Sequence, residues 1–178
     1  MARALTQRKI PYMVIGGHAV LIYGEPRLTQ DIDITLGVDA SKLDLIKDLA
    51  AAIGLEILVK DPNTFVKDTM VLPLKDKKSG IRIDLIFSNS AYEKEALKNV
   101  KRISIGGLKV SYASLEDLVI HKLIAGRPRD MEDIQGILLK NPHYDAIYIK
   151  RWIKEFDRSL HEGYGQRFNK ITQGLKDK

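Results

Sequence analysis

Apolar and polar positions change their spacing several times along this 178-residue chain, marking a run of short alternating segments and then a longer helical stretch. Residues 12–15 form a compact apolar run ending at Gly16-Gly17, after which residues 19–23 enter a helix, so a strand, a turn and a helix follow one another. Pro26 interrupts that helix, and over residues 31–36 β-branched side chains alternate with polar ones, the pattern of a half-buried strand. Helical spacing over residues 39–53 predicts a helix that Gly54 ends. Residues 55–59 and 70–74 read as strands, with Asp61-Pro62-Asn63 as a turn between them. In the strand predicted at residues 80–87, Ile81, Ile83, Leu85 and Phe87 face one way and Arg82, Asp84 and Ile86 the other.

A helix over residues 91–97 follows, then a hairpin in which Gly106-Gly107 joins residues 103–105 to 108–110. From Ser114 the pattern is helical. Ser114 caps a segment with Glu116 and Asp117 in its first turn, and Leu115, Leu118, Val119 and Lys122 recur at helical spacing. Arg127-Pro128-Arg129-Asp130 breaks the chain and starts another helix, with Pro128 in its first turn; residues 147–156 and 164–175 complete the helical part. The expected architecture is α/β of the α+β kind: a small mixed β-sheet flanked by helices in residues 1–112, and a helical C-terminal region, residues 113–178, packed on it.

At 44% hydrophobic the chain supports a well-buried core, while no apolar run approaches the roughly 20 residues of a membrane helix. The basic start lacks a signal-peptide pattern, because Pro11, Gly16, Gly17 and His18 interrupt the apolar residues after it, and a cytoplasmic location without membrane partners is expected. The absence of cysteine excludes disulfides, thiolate nucleophiles and cysteine-ligated zinc, and His18, His121, His143 and His161 form no zinc-binding spacing. A net charge of +6 and a pI near 9.4 favour polyanionic partners such as a nucleotide or RNA.

Asp31 and Asp33, two apart on a strand, have Cα atoms about 6.6 Å from one another and share a face. Asp84, within a later strand, supplies a third carboxylate. Three such groups packed together repel one another, which makes a divalent cation their natural counterion, and all-oxygen ligands favour Mg²⁺ or Mn²⁺.

The glycine pair before a helix, Asp-x-Asp on the next strand and a lone aspartate in a later apolar strand resemble, in that order, the nucleotidyltransferase superfamily with the polymerase-β-like fold. More narrowly, Gly16-Gly17-x-Ala19, Arg27-x-Thr29-x-Asp31-x-Asp33 and His121-Lys122-Leu123-x-x-x-Arg127-Pro128-Arg129-Asp130-x-x-Asp133 resemble the abortive-infection type IV toxin branch. The resemblance implies that Asp31, Asp33 and Asp84 are catalytic and bind two Mg²⁺ (or Mn²⁺) ions. Asp84 helps deprotonate an attacking hydroxyl, and a nucleoside monophosphate passes from an NTP such as ATP to that hydroxyl with release of pyrophosphate. It places the nucleotide against Gly16, Gly17 and His18, with Lys122, Arg127 and Arg129 as further phosphate ligands, and gives Arg27, Thr29, Asp130 and Asp133 supporting roles. His18 follows the glycines where many members place a phosphate-binding serine, so the backbone N–H groups of Gly17 and His18 are left for that contact. The implied acceptor is RNA, such as tRNA, or protein, with an antitoxin protein as partner. A small-molecule acceptor, as in antibiotic-modifying relatives, and a non-catalytic nucleotide- or RNA-binding module are the alternatives.

Overall fold

In the computed structural model, which describes residues 1–88 and 90–176, the alternating segments pair into one seven-stranded sheet. Its strands are β1 (Tyr12–Val14), β2 (Asp31–Leu36), β3 (Leu55–Ile57), β4 (Val71–Asp76), β5 (Arg82–Phe87), β6 (Lys101–Ile105) and β7 (Leu108–Tyr112), in the order β3-β4-β5-β2-β1-β7-β6. β2 runs parallel to β5, and β1 parallel to β7, while the other neighbours are antiparallel, so the sheet is mixed as the sequence pattern predicts.

The chain divides into two compact units. The first joins Met1–His18 to Leu28–Ala113 and contains the sheet. One face of its central strands is apolar: Ile34 and Leu36 pair with Leu85 and Phe87, and Leu72 and Leu74 with Leu85 and Ile83, all of them buried. Each such side chain contributes about 1.5–3 kcal/mol through burial. The opposite face carries Asp31, Asp33, Arg82 and Asp84. This unit also holds helices α1 (Ala2–Gln7), α3 (Leu43–Ala52), α4 (Pro62–Thr69) and α5 (Ala91–Ala96), together with the first residues of α2 (Gly16–Tyr23).

Two of its helices depart from the sequence expectation. Residues 61–63, expected to be a turn, begin α4: the Asp61 carboxylate accepts N–H bonds from Asn63 and Thr64, both at 3.1 Å, and Pro62 takes the first helical position. Asp-Pro-Asn suits a turn and a helix start equally, and here the cap prevails. The strand before it is correspondingly shorter than expected, ending at Ile57. The basic start of the chain forms α1, held by the fully buried Leu5.

The second unit joins Ala19–Arg27 to the chain from Ser114 onward, and its helices are the later turns of α2 with α6 (Leu115–Ala125), α7 (Pro128–Lys140), α8 (Ala146–Leu160) and α9 (Tyr164–Lys176). Their ends follow the capping chemistry of the sequence. The Ser114 hydroxyl accepts from the N–H of Asp117, Pro128 opens α7, and Asp145 accepts from Ile147 and Tyr148 N–H. Leu118, Ile120, Leu123, Ile134, Ile137 and Phe168 fill the core of this unit. Residues 19–27 are tied to α7 by the Asn141 amide, which donates to the Tyr23 carbonyl at 2.8 Å, and by the Lys140 ammonium, which donates to that of Gly24 at 3.1 Å. Among the described residues no helix is long and apolar enough to cross a membrane.

His121 on α6 has its Nε2 shut off from solvent, and burial pushes its pKa down to about 4 from an ordinary 6.5. The unfolded chain therefore takes up a proton near pH 6.5 that the folded chain refuses until about pH 4. The stability associated with neutral His121 is complete above pH 6.5 and falls through that window by about 3 kcal/mol at most. Chemical denaturation at pH 7 and pH 4.5 is expected to show this loss in the wild type and a smaller one in His121→Leu.

Candidate active site

Residues of the first unit gather at the start of β2. The Ile15 N–H donates to the Asp33 carbonyl at 2.9 Å, which fixes the end of β1 against β2 and brings Gly16 beside the Asp33 side chain. Gly16 has φ +63, a left-handed conformation that glycine adopts without penalty. A Cβ there would stand 1.9 Å from Asp33 Oδ2, so the carboxylate occupies the space a side chain would take. α2 starts at Gly16, so the N–H groups of its first turn have no acceptor within the helix.

The parallel register of β2 and β5 sets Asp33 opposite Asp84 and Asp31 opposite Arg82. The three aspartates thus share one face, as expected from their alternate positions. Each has local partners. The Thr29 hydroxyl donates to Asp31 Oδ1 at 3.1 Å, and Arg82 Nε donates to Asp84 Oδ1 at 2.8 Å. The hydrogen bond to Asp84 and its charge, with the charges of Asp31 and Asp33 adding to them, hold the Arg82 pKa above its ordinary value. His18 is shifted the other way: burial lowers its pKa although the Asp31 charge pulls it up, so the imidazole is neutral at pH 7.

Among the described residues no three acidic or histidine side chains have their ligand atoms gathered as a ready metal site. The residues nevertheless fit a hard divalent cation in kind and in position. Three carboxylates supply only oxygen donors, they project from one face of adjacent strands, and the missing Cβ of Gly16 leaves room for Asp33. Asp84 would meet such an ion while one of its oxygens accepts from Arg82. The sequence placed Arg82 on the face of Asp84 but gave it no role; its position two residues before Asp84 was the available signal.

The second unit contains the other residues singled out from the sequence. Lys122 was expected to reach a nucleotide phosphate, but its side chain is only 3% exposed and its ammonium donates to Asp130 at 2.9 Å and to Asp133 at 2.6 Å. Arg27 grips Asp133 through Nε and Nη2, both at 3.1 Å, and Arg127 Nε donates to Asp130 at 2.7 Å. Three cations and two anions thus form one chain, Arg27-Asp133-Lys122-Asp130-Arg127. Burial works to raise the Asp130 pKa, but hydrogen bonds from Arg127 and Lys122 outweigh it and hold the carboxyl below its usual range. Arg129 is exposed and makes no ion pair among the described residues.

Comparison with known proteins agrees with this architecture. No curated protein matches the sequence. The fold is shared with the antibiotic-resistance factor ANT(2'')-Ia (TM-score 0.55, 15% identity, 90% of this chain and 93% of that one). It is shared also with an antigenic nucleotidyltransferase-like protein from Paracoccidioides brasiliensis (TM-score 0.58, 17% identity, 98% and 88%). The lincosamide antibiotic adenylyltransferase LnuA, solved with lincomycin bound, is a third (TM-score 0.51, 19% identity, 75% and 89%). Residues 2–161 match the model of a family described as nucleotidyltransferase of unknown function (DUF6036). With most of its length matched and a mixed sheet carrying glycine turn and carboxylates in the expected order, the chain belongs to this nucleotidyltransferase family.

Proposed function

We propose that the protein transfers a nucleoside monophosphate from an NTP to a hydroxyl of RNA, with Asp31, Asp33 and Asp84 holding two Mg²⁺ or Mn²⁺ ions. The observation that supports this reading is the register of Asp33 with Asp84, with Asp31 on the same face and the Asp33 carboxylate filling the space above Gly16. When bound, the ions supply positive charge beside the attacking and leaving oxygens. The N–H groups of Gly17 and His18, at the start of α2, receive the triphosphate, and the neutral imidazole of His18 adds no charge there. The acceptor oxygen bonds to the α-phosphorus, the bond from that phosphorus to the bridging oxygen breaks, and pyrophosphate leaves. Asp84 helps take up the hydroxyl proton.

Thr29 holds Asp31 through its hydroxyl. Arg27, Asp130 and Asp133 act as positioning residues around Lys122, whose enclosed ammonium we assign to the same task. Within the helical unit, the exposed Arg129 and Arg127 are the cations we assign to phosphate binding. RNA is favoured as acceptor by the net charge of +6 and by α8, where Lys150, Arg151, Lys154 and Arg158 are exposed while Ile149, Trp152 and Ile153 are buried. A toxin restrained by an antitoxin protein, acting in the cytoplasm by modifying tRNA, is the physiological role we infer.

The test is incubation with each α-labelled NTP, Mg²⁺ and separate total RNA, protein and small-molecule extracts. Transfer of label to RNA, abolished by a chelator, is expected. Label in protein or small molecules alone would overturn the acceptor assignment, and equal labelling with chelator present would overturn the metal assignment.

A further inference from the structure

Arg82 shares the strand face of the three aspartates and is bonded to one of them, Asp84. The register sets it opposite Asp31, its Nε donates to Asp84 at 2.8 Å, and both Asp31 and Asp33 attract its charge. Its side chain is 54% exposed, whereas that of Asp84 is 16% exposed, so the arginine lies over the carboxylate from the solvent side. Beside it a cavity of about 630 Å³ opens, lined by Asp31, Lys75, Ile81 and Arg82 itself among others.

Resting on the assignment of Asp31, Asp33 and Asp84 as metal ligands, we propose that Arg82 is the resident counter-ion of this site, which exchanges with the divalent ion. Without metal the guanidinium offsets the mutual repulsion of the carboxylates. An incoming dication would compete with Arg82 for the Asp84 carboxylate and repel its charge, and an exposed ion pair is weak enough to be exchanged. Released from Asp84, the guanidinium stays in the cavity it already lines with Lys75 and Asp31. A structural role predicts the opposite sign: an arginine that merely held Asp84 in place for the ion would, on removal, weaken metal binding.

The experiment is titration of the full chain with Mn²⁺, reading free Mn²⁺ by electron paramagnetic resonance. Arg82→Gln is expected to bind Mn²⁺ about fivefold more tightly than wild type, the equivalent of ~1 kcal/mol for an exposed pair. Unchanged or weaker binding overturns the exchange. Asp33→Asn is the control for the underlying assignment: undiminished Mn²⁺ binding by that variant would remove the metal site itself, whatever Arg82 does. A second measurement needs no folded variant at Arg82. In wild type, the Arg82 Nε–H nuclear magnetic resonance signal should shift and exchange faster with solvent as Mg²⁺ is added, and a signal unmoved at saturation overturns the proposal.

Discussion

Asp33→Asn is expected to lower nucleotidyl transfer by about 10³-fold or more while leaving the fold intact. Asp33 is the central member of the carboxylate face: it pairs with Asp84, shares a strand face with Asp31 and packs on Gly16. Asparagine preserves its shape but not its charge, and a neutral amide oxygen is a far weaker ligand for a hard dication than a carboxylate. Neutralising one of three neighbouring acids also relieves repulsion, so the metal-free melting temperature should stay the same or rise. Gly16→Ala should approach the same loss by another route. Its Cβ would fall 1.9 Å from Asp33 Oδ2, which must move, and φ +63 costs a non-glycine residue about 1–2 kcal/mol. Initial rates with an α-labelled NTP, read beside thermal melts, check both variants. A near-normal rate in Asp33→Asn would remove Asp33 from the site.

The second large effect is on stability. Lys122→Met is expected to destabilise the protein by about 3–5 kcal/mol, because it leaves two enclosed carboxylates short of their shared cation. Arg27 still pairs with Asp133, and Arg127 with Asp130, which points to the lower end of that range. For a chain of this length the melting temperature should drop by about 10 °C. The loss should shrink in acid, since Asp130, held below its usual pKa in the wild type, contributes stability above the unfolded-state value and loses it as pH falls through the folded one. Melts at pH 7 and pH 3 test this. Full stability with abolished activity would instead assign Lys122 to direct contact with substrate.

The alternation of Asp31, Asp33 and Asp84 with apolar neighbours was readable from the chain because strand side chains repeat every two residues. Which strands lie side by side was not: the β2–β5 pairing joins segments some fifty residues apart, and only that register turns separate aspartates into one face. Arg82 was legible on the face of Asp84 but without a role for the same reason, since it lies opposite Asp31 across the strand gap as well as beside Asp84 along the strand. Lys122 was legible as one residue of a helical face, but its enclosure depends on acids from α7 and on Arg27, far away in sequence. Local pattern reports what a side chain prefers, and long-range pairing decides whether that preference prevails.

Residues 19–27 leave the sheet-bearing unit, join the helices and return before β2 begins. The backbone therefore passes between the units at three places, near positions 18, 27 and 113, and no single cut separates them. A fragment ending at residue 113 would carry a stranded piece of the helical core, and one beginning at 114 would lack Arg27, one of the two cations on Asp133. Exchange of the chain from residue 114 onward alone would leave residues 19–27 of the helical unit behind. The glycine turn and the aspartates of β2 lie on either side of that excursion, so the segment that links them along the chain belongs to the helical unit.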